Sequence, residues 1–142
     1  MRQLMLRILA GTTAVALLVA CGGKPVTVEP LPIGLTGIQW RLVNLGNSSP
    51  VVNSAGPDLT LLLSDGRTAS GFSGCNRFGG SYQLNGDTLR FSPLSTTKVG
   101  CNGSLRVEQR YLEALGATNH YQVNSDSLVL YQGSTPILIY KR

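Results

Sequence analysis

Charged residues are scarce in this chain. Asp, Glu, Lys and Arg make up 13% of its 142 residues, about half of the usual ~25%. That scarcity argues against a long solvated helix, a coiled coil or a charge-rich disordered tail. Aromatics are also few, at 6%, and there is a single histidine beside seven carboxylates. So small a stock leaves little material for acid–base catalysis or a metal cluster. No apolar run reaches the roughly 20 residues that a membrane-spanning helix needs. The length suits one domain and is too short for two ordinary ones. What is plentiful is glycine, with 17 residues, which fits a turn-rich β domain better than a helical bundle.

Residues 1–20 read as an address. Arg2 and Arg7 make a positive start, residues 8–19 are apolar or small and carry no charge, and Leu18-Val19-Ala20-Cys21 follows. A positive start, an apolar run of about 7–15 residues and a small residue at its end describe a secretory signal peptide. Gly22, Gly23 and Lys24 end the apolar run too early for a transmembrane anchor. The tetrapeptide resembles the bacterial lipobox, which implies that Cys21 becomes the N-terminus and carries acyl chains. Each buried methylene contributes about 0.8 kcal/mol, and more than one chain gives stable anchoring. Gly22, in place of the Asp that marks inner-membrane retention, implies the outer membrane with the domain facing the periplasm.

Without the leader, ten basic residues stand against seven acidic ones, a net charge of +3. The basic residues are scattered, and nucleic acid is mostly absent outside the cytoplasm, so lipid head groups or envelope polymers are the expected counter-charges. Residues 21–36 hold three prolines and three glycines. That density excludes a helix and reads as a tether. The domain is then expected over residues 37–142.

From Gly37 onward, short apolar runs alternate with turn signals. Strands are predicted at residues 38–44, 59–63, 67–72, 81–84, 88–91, 94–99, 121–124, 127–131 and 137–140. Asn85-Gly86-Asp87 marks a tight hairpin, and residues 74–80 read as a glycine-rich corner. Gly71, Gly74, Gly79 and Gly80 are expected where a side chain would clash. Residues 104–115 carry a helical pattern instead, with Leu105, Tyr111, Leu112 and Leu115 on one side. Asn102 or Ser104 can cap its start, and Gly116 is placed for a left-handed end. The expected fold is mainly β (α+β): a small, partly closed barrel or roll of about 8–9 short strands with one helix packed across it.

Among candidate sites, Cys75 and Cys101 remain once Cys21 is lipidated. In an oxidising envelope they most simply form one disulfide, and the chain-entropy model gives about 3.5 kcal/mol for its loop. The alternative, a reactive thiol, needs an activating base. Residues 71–75 begin like a G-x-S-x-G elbow but end in Cys and lack the strand-to-helix turn. His120 has no acid nearby and reads as a surface or packing residue. Asp65, Asp87 and Asp126 fall in turns, where Asp bonds the local backbone. Glu108 and Glu113 lie about 140° apart on the helix and are expected to face solvent. No catalytic residue, metal ligand or cofactor site is assigned.

Three stretches together resemble the META domain family, of which the HslJ-like envelope lipoproteins are members. They are Trp40-Arg41-Leu42 for W-x-L, residues 74–82 for G-C-N-x-F-x-G-x-Y, and residues 95–101 for a T-T-x-M-A-C run. Glu108, Tyr111, Leu112 and Leu115 match the helix pattern E-x-x-(Y/F)-L-x-x-L, and for Glu108 that match carries the alternative of a buried hydrogen bond. Val99 and Gly100 depart from the usual Met and Ala. The resemblance implies a β-rich, barrel-like envelope protein without known catalysis. By analogy with related lipoprotein barrels it suggests a protein or lipid partner, or a part in envelope stress tolerance. The alternative is an inhibitor of an envelope-attacking hydrolase, although a +3 domain repels a strongly basic lysozyme at long range.

Overall fold

The computed structural model describes residues 34–46, 57–100 and 105–142. The signal segment, Cys21, most of the tether, Cys101 and the two candidate helix caps lie outside the described residues. Nine strands and one helix follow in the order β1 (Gln39–Leu45), β2 (Thr60–Leu63), β3 (Thr68–Phe72), β4 (Arg77–Asn85), β5 (Thr88–Phe91), β6 (Ser95–Thr96), α1 (Leu105–Ala117), β7 (His120–Val123), β8 (Ser127–Gln132) and β9 (Thr135–Lys141). Every pairing is antiparallel. The spatial order is β5-β4-β3-β2-β1-β9-β8-β7, with the short β6 added to β4.

The two ends of this sheet approach each other without forming a ladder. Tyr121 N–H on β7 donates to the Asp87 carbonyl in the β4–β5 turn at 3.1 Å, and the Tyr121 hydroxyl lies 3.2 Å from the Gly86 carbonyl. The result is the expected partly closed barrel. Alternation supplies its interior: Trp40, Leu61, Leu63, Leu89, Leu128, Leu130, Leu138 and Tyr140 are wholly buried. In β1 the inward residues are Trp40 and Leu42, then Leu45 rather than Asn44. A bulge against β9 between Leu42 and Asn44 adds one residue and returns Leu45 to the core.

Several boundaries differ from expectation for local reasons. Gly79 and Gly80 lie inside β4, so only Gly74, at φ 103°, turns the chain. A side chain at Gly71 would strike the Thr60 carbonyl and come within 2.7 Å of the Phe78 ring; at Gly80 it would come within 2.8 Å of Leu94. Gly79, by contrast, has ordinary room. The strand expected at 94–99 is a two-residue β6, because Thr97 and Val99 donate their N–H groups to the Arg77 carbonyl and the Asn76 side chain. The last hairpin turns in two residues, since Gln132 pairs with Thr135. Pro136 sits within β9 at a position that β1 does not reach. Leu35, placed by sequence in the tether, is wholly buried, and its carbonyl accepts the Trp40 indole N–H at 3.1 Å.

The helix lies across the barrel against β5 and β9. Tyr111 enters the core edge-on to Phe78, and its hydroxyl donates to the Thr60 carbonyl at 3.1 Å while accepting from Tyr140 at 3.0 Å. Two expectations fail here. Leu105 is 56% exposed, because the first turn extends beyond the surface that Tyr111 and Leu115 cover. Gly116 is helical rather than left-handed. Helix α1 continues to Ala117, and Thr118 closes it through bonds to the Leu115 and Ala114 carbonyls.

Leu115 is wholly buried and Leu112 half-buried. Leu115→Ala is therefore expected to cost about 2–5 kcal/mol, Leu112→Ala less, and Leu105→Ala under about 0.5 kcal/mol. Urea denaturation of the three variants checks the ranking.

Candidate functional site

The stretches singled out by sequence converge on one polar cluster where α1 meets the corner after β3. Its centre is Asn76, which is 4% exposed. The Asn76 N–H donates to Glu108 Oε2 at 2.8 Å and its Nδ2 to Oε1 at 3.0 Å. Its Oδ1 accepts from the Val99 N–H at 2.7 Å and the Thr97 hydroxyl at 2.9 Å. Its carbonyl accepts the Ser73 N–H at 2.8 Å. The Ser73 hydroxyl, 2.7 Å from both the Asn76 carbonyl and Glu108 Oε2, shares one proton between them. Gly74 bends the chain so that residues 73–76 can present these groups to the helix.

Glu108 is thus buried, against the solvent-facing expectation. Helical spacing in fact sets it on the Tyr111 and Leu115 face, three and seven residues before them, and the partner that satisfies it there lies 32 residues earlier in the chain. Burial pushes its carboxyl pKa up, but hydrogen bonds from Ser73, the Asn76 side chain, and the Asn76 and Cys75 backbone outweigh that and hold it below its ordinary 4.5. Glu113, by contrast, is exposed and accepts a bond from Gln109.

The remaining candidates separate. Ser73 has no solvent exposure, and its hydroxyl is engaged by Asn76 and Glu108. Cys75 is buried, its Sγ 3.2 Å from the Val99 carbonyl. Cys21 and Cys101 lie outside the described residues. His120 does have an acid near it: Asp87 Oδ2 is 3.5 Å from its Nδ1. The pair forms because β7 docks on the β4–β5 turn, a proximity that 33 residues of sequence separation concealed. The Asp87 side chain is 76% exposed, so water screens the pair strongly.

The turn carboxylates also act differently from expectation. Asp65 accepts from the distant Thr36 hydroxyl at 2.5 Å. At the β7–β8 turn it is Asn124, not Asp126, that caps, accepting from the N–H groups of Asp126 and Ser127. Among the described residues no group of three His, Cys, Asp or Glu side chains is placed to hold a metal ion.

Concavities lined by described residues lie on the outer surface. One is between α1 and the ends of β1 and β9, one beside His120 and Tyr131, and one of about 510 Å³ on the outer sheet face between Arg41 and Arg77.

Residues 34–142 match the family model described as META domain. Among solved structures, a protein from Burkholderia xenovorans is 28% identical with TM-score 0.62, the match covering 87% of this chain and 96% of that one. A DUF4847 family protein from Bacteroides vulgatus is 19% identical with TM-score 0.57, covering 75% and 93%. It shares the fold. No curated protein matches.

The lowered pKa of Glu108 carries a direct consequence. A carboxyl whose folded pKa is depressed stabilises the fold above its unfolded value, and that contribution disappears as pH falls from about 4.5 through the folded pKa. Glu108→Gln should flatten the acid limb of the stability profile. Glu108→Ala, which strands the Asn76 donors, should cost about 2–4 kcal/mol at pH 7. Denaturant melts from pH 7 to pH 3 measure both.

Proposed function

The chain belongs to the META domain family, and from that premise we propose that it is a non-catalytic binding module of the bacterial envelope. In this reading acyl chains on Cys21 hold it on the outer membrane, and the domain faces the periplasm, where it binds a protein or envelope-polymer partner. The observation that carries the non-catalytic reading is the bonding of Glu108. It is the one buried carboxylate among the described residues, and both of its oxygens are bound by Ser73 and Asn76 in the domain's own framework. An acid so engaged positions a helix; it is not poised to move a proton to or from a substrate.

Leu18-Val19-Ala20-Cys21, behind its charged start and apolar run, supports the anchor. The buried core begins by Leu35. Residues 21–33, if extended near 3.1 Å per residue, would hold the barrel about 40 Å from the acylated end. A Cys75–Cys101 disulfide belongs to the same proposal. Cys75 Sγ touches the Val99 carbonyl, and residues two apart are separated by at most about 7 Å of chain. That reach accommodates the Cα spacing a disulfide requires.

Mass spectrometry of membrane-extracted protein should find an N-terminal acylated Cys21; a mature chain that retains residues 1–20 overturns the anchor. Non-reducing peptide mapping should join the Cys75 and Cys101 fragments. Cys75→Ser should then cost on the order of 2–5 kcal/mol, and ready alkylation of both thiols in the folded, unreduced protein argues against the bond.

A further inference from the structure

We propose that the outer face of the sheet is a binding groove for an acidic saccharide, with Arg41 and Arg77 taking its carboxylates and Phe72 the face of a sugar ring. The inference rests on the binding-module reading and names its ligand class; it does not depend on the anchor. Cross-strand register builds the site. Arg41 stands opposite Thr60, Thr60 opposite Phe72, and Phe72 opposite Arg77. With strands about 4.8 Å apart, the two arginines stand about 14 Å apart at the backbone, one at each end of the row.

Thr60 and Phe72 form the floor. Thr60 is 9% exposed, and its hydroxyl oxygen accepts the Phe72 N–H at 3.1 Å, which fixes the row. Phe72 is half-buried and presents the rest of its ring outward. Arg41 donates from one terminal nitrogen to the Arg142 carbonyl at 2.8 Å, a bond that steadies the guanidinium without exhausting its five donors. Gln39 and Asp58, both exposed, stand at the rim. The concavity, about 510 Å³, is within the size range of small-ligand sites.

Charge and hydrogen-bonding capacity select the occupant. Two guanidinium groups against one carboxylate favour an anion, and a guanidinium matches a carboxylate bidentately. Asp58 decides the class. A bare polyanion or a phosphate surface gains nothing from it and is repelled by it. Saccharide hydroxyls, being donors as well as acceptors, bond to Asp58 and Gln39 while acidic groups reach the arginines. A membrane surface is a poor fit, because Thr60 is nearly buried and the exposed Asp58 repels anionic head groups.

Calorimetric titration of the detergent-extracted full chain with an oligogalacturonate tests the proposal, with a neutral malto-oligosaccharide of equal length and phosphatidylglycerol vesicles as comparators. The acidic saccharide should bind at least about tenfold more tightly than the neutral one. Arg77→Gln and Phe72→Ala should each weaken it about tenfold, whereas Arg90→Gln, on exposed β5, should leave it unchanged. Asp58→Asn should weaken binding too. Tighter binding by Asp58→Asn would mean simple anion attraction and overturn the saccharide. Equal affinity for the two saccharides, or Arg77-dependent binding to vesicles alone, also overturns it. None of these outcomes bears on the N-terminal mass, so the anchor stands or falls separately.

Discussion

A single carboxylate holds the helical and β parts of this domain in register. Glu108 is nearly buried, and a buried charge is tolerated only where hydrogen bonds replace its lost water. Ser73 and Asn76 provide them, and Asn76 can do so only because its carbonyl and Oδ1 are bound in turn by Ser73, Thr97 and Val99. The corner after β3, the strand fragment at β6 and the first turns of α1 are thereby one bonded unit. The corner and the two-residue β6 have little regular secondary structure of their own, and α1 contributes the Glu108 carboxylate. Each borrows donors or acceptors from the others.

That cluster determines where Tyr111 points. One turn beyond Glu108, its ring reaches Phe78 and its hydroxyl bridges the Thr60 carbonyl and Tyr140. Burial raises the pKa of both tyrosines, so they remain neutral hydrogen-bonding groups at any ordinary pH. Helix α1 thus packs on β5 and β9, while β5 and β7 approach each other without pairing. Along that seam the strands need only Tyr121 and the turn at Gly86 and Asp87 to meet. The barrel built by the nine strands of the described residues therefore remains open at one seam.

The regular strands and hairpins were legible in the sequence because their causes are local. Residues 88–91 appear as β5 without a shift, and Gly86 at φ 56° turns the hairpin that Asn85-Gly86-Asp87 signalled. What escaped was set by partners distant in the chain. The helical period already sets Glu108 on the Tyr111 and Leu115 face, but nothing local shows what satisfies a carboxylate there until Asn76 is brought to it. His120 lacks an acid until β7 meets Asp87. Leu105 looks like core on a helical wheel, but a wheel does not show where the barrel surface ends. Gly74 through Gly80 look like one corner. Yet only Gly74 needs its backbone freedom, while Gly80 is excluded from bearing a side chain by Leu94.

The same distinction separates the two faces of the sheet. Inward positions are claimed by packing: Trp40, Leu61 and Phe78 are buried within one continuous hydrophobic cluster. Their outward neighbours Arg41, Thr60 and Arg77 alternate with them along the same strands, so the register that seats the core also sets the outer row. No turn signal or helical period links Arg41 to Arg77; only pairing through β2 and β3 does. A strand slip of one residue would exchange core for solvent, and it would also scatter that row. The hydrophobic interior is therefore what keeps the outer groove in place, and Gly71 is part of the mechanism. Without a side chain it lets the Thr60 backbone and the Phe78 ring approach from either side, so β2, β3 and β4 lie close enough for Thr60, Phe72 and Arg77 to act as one surface.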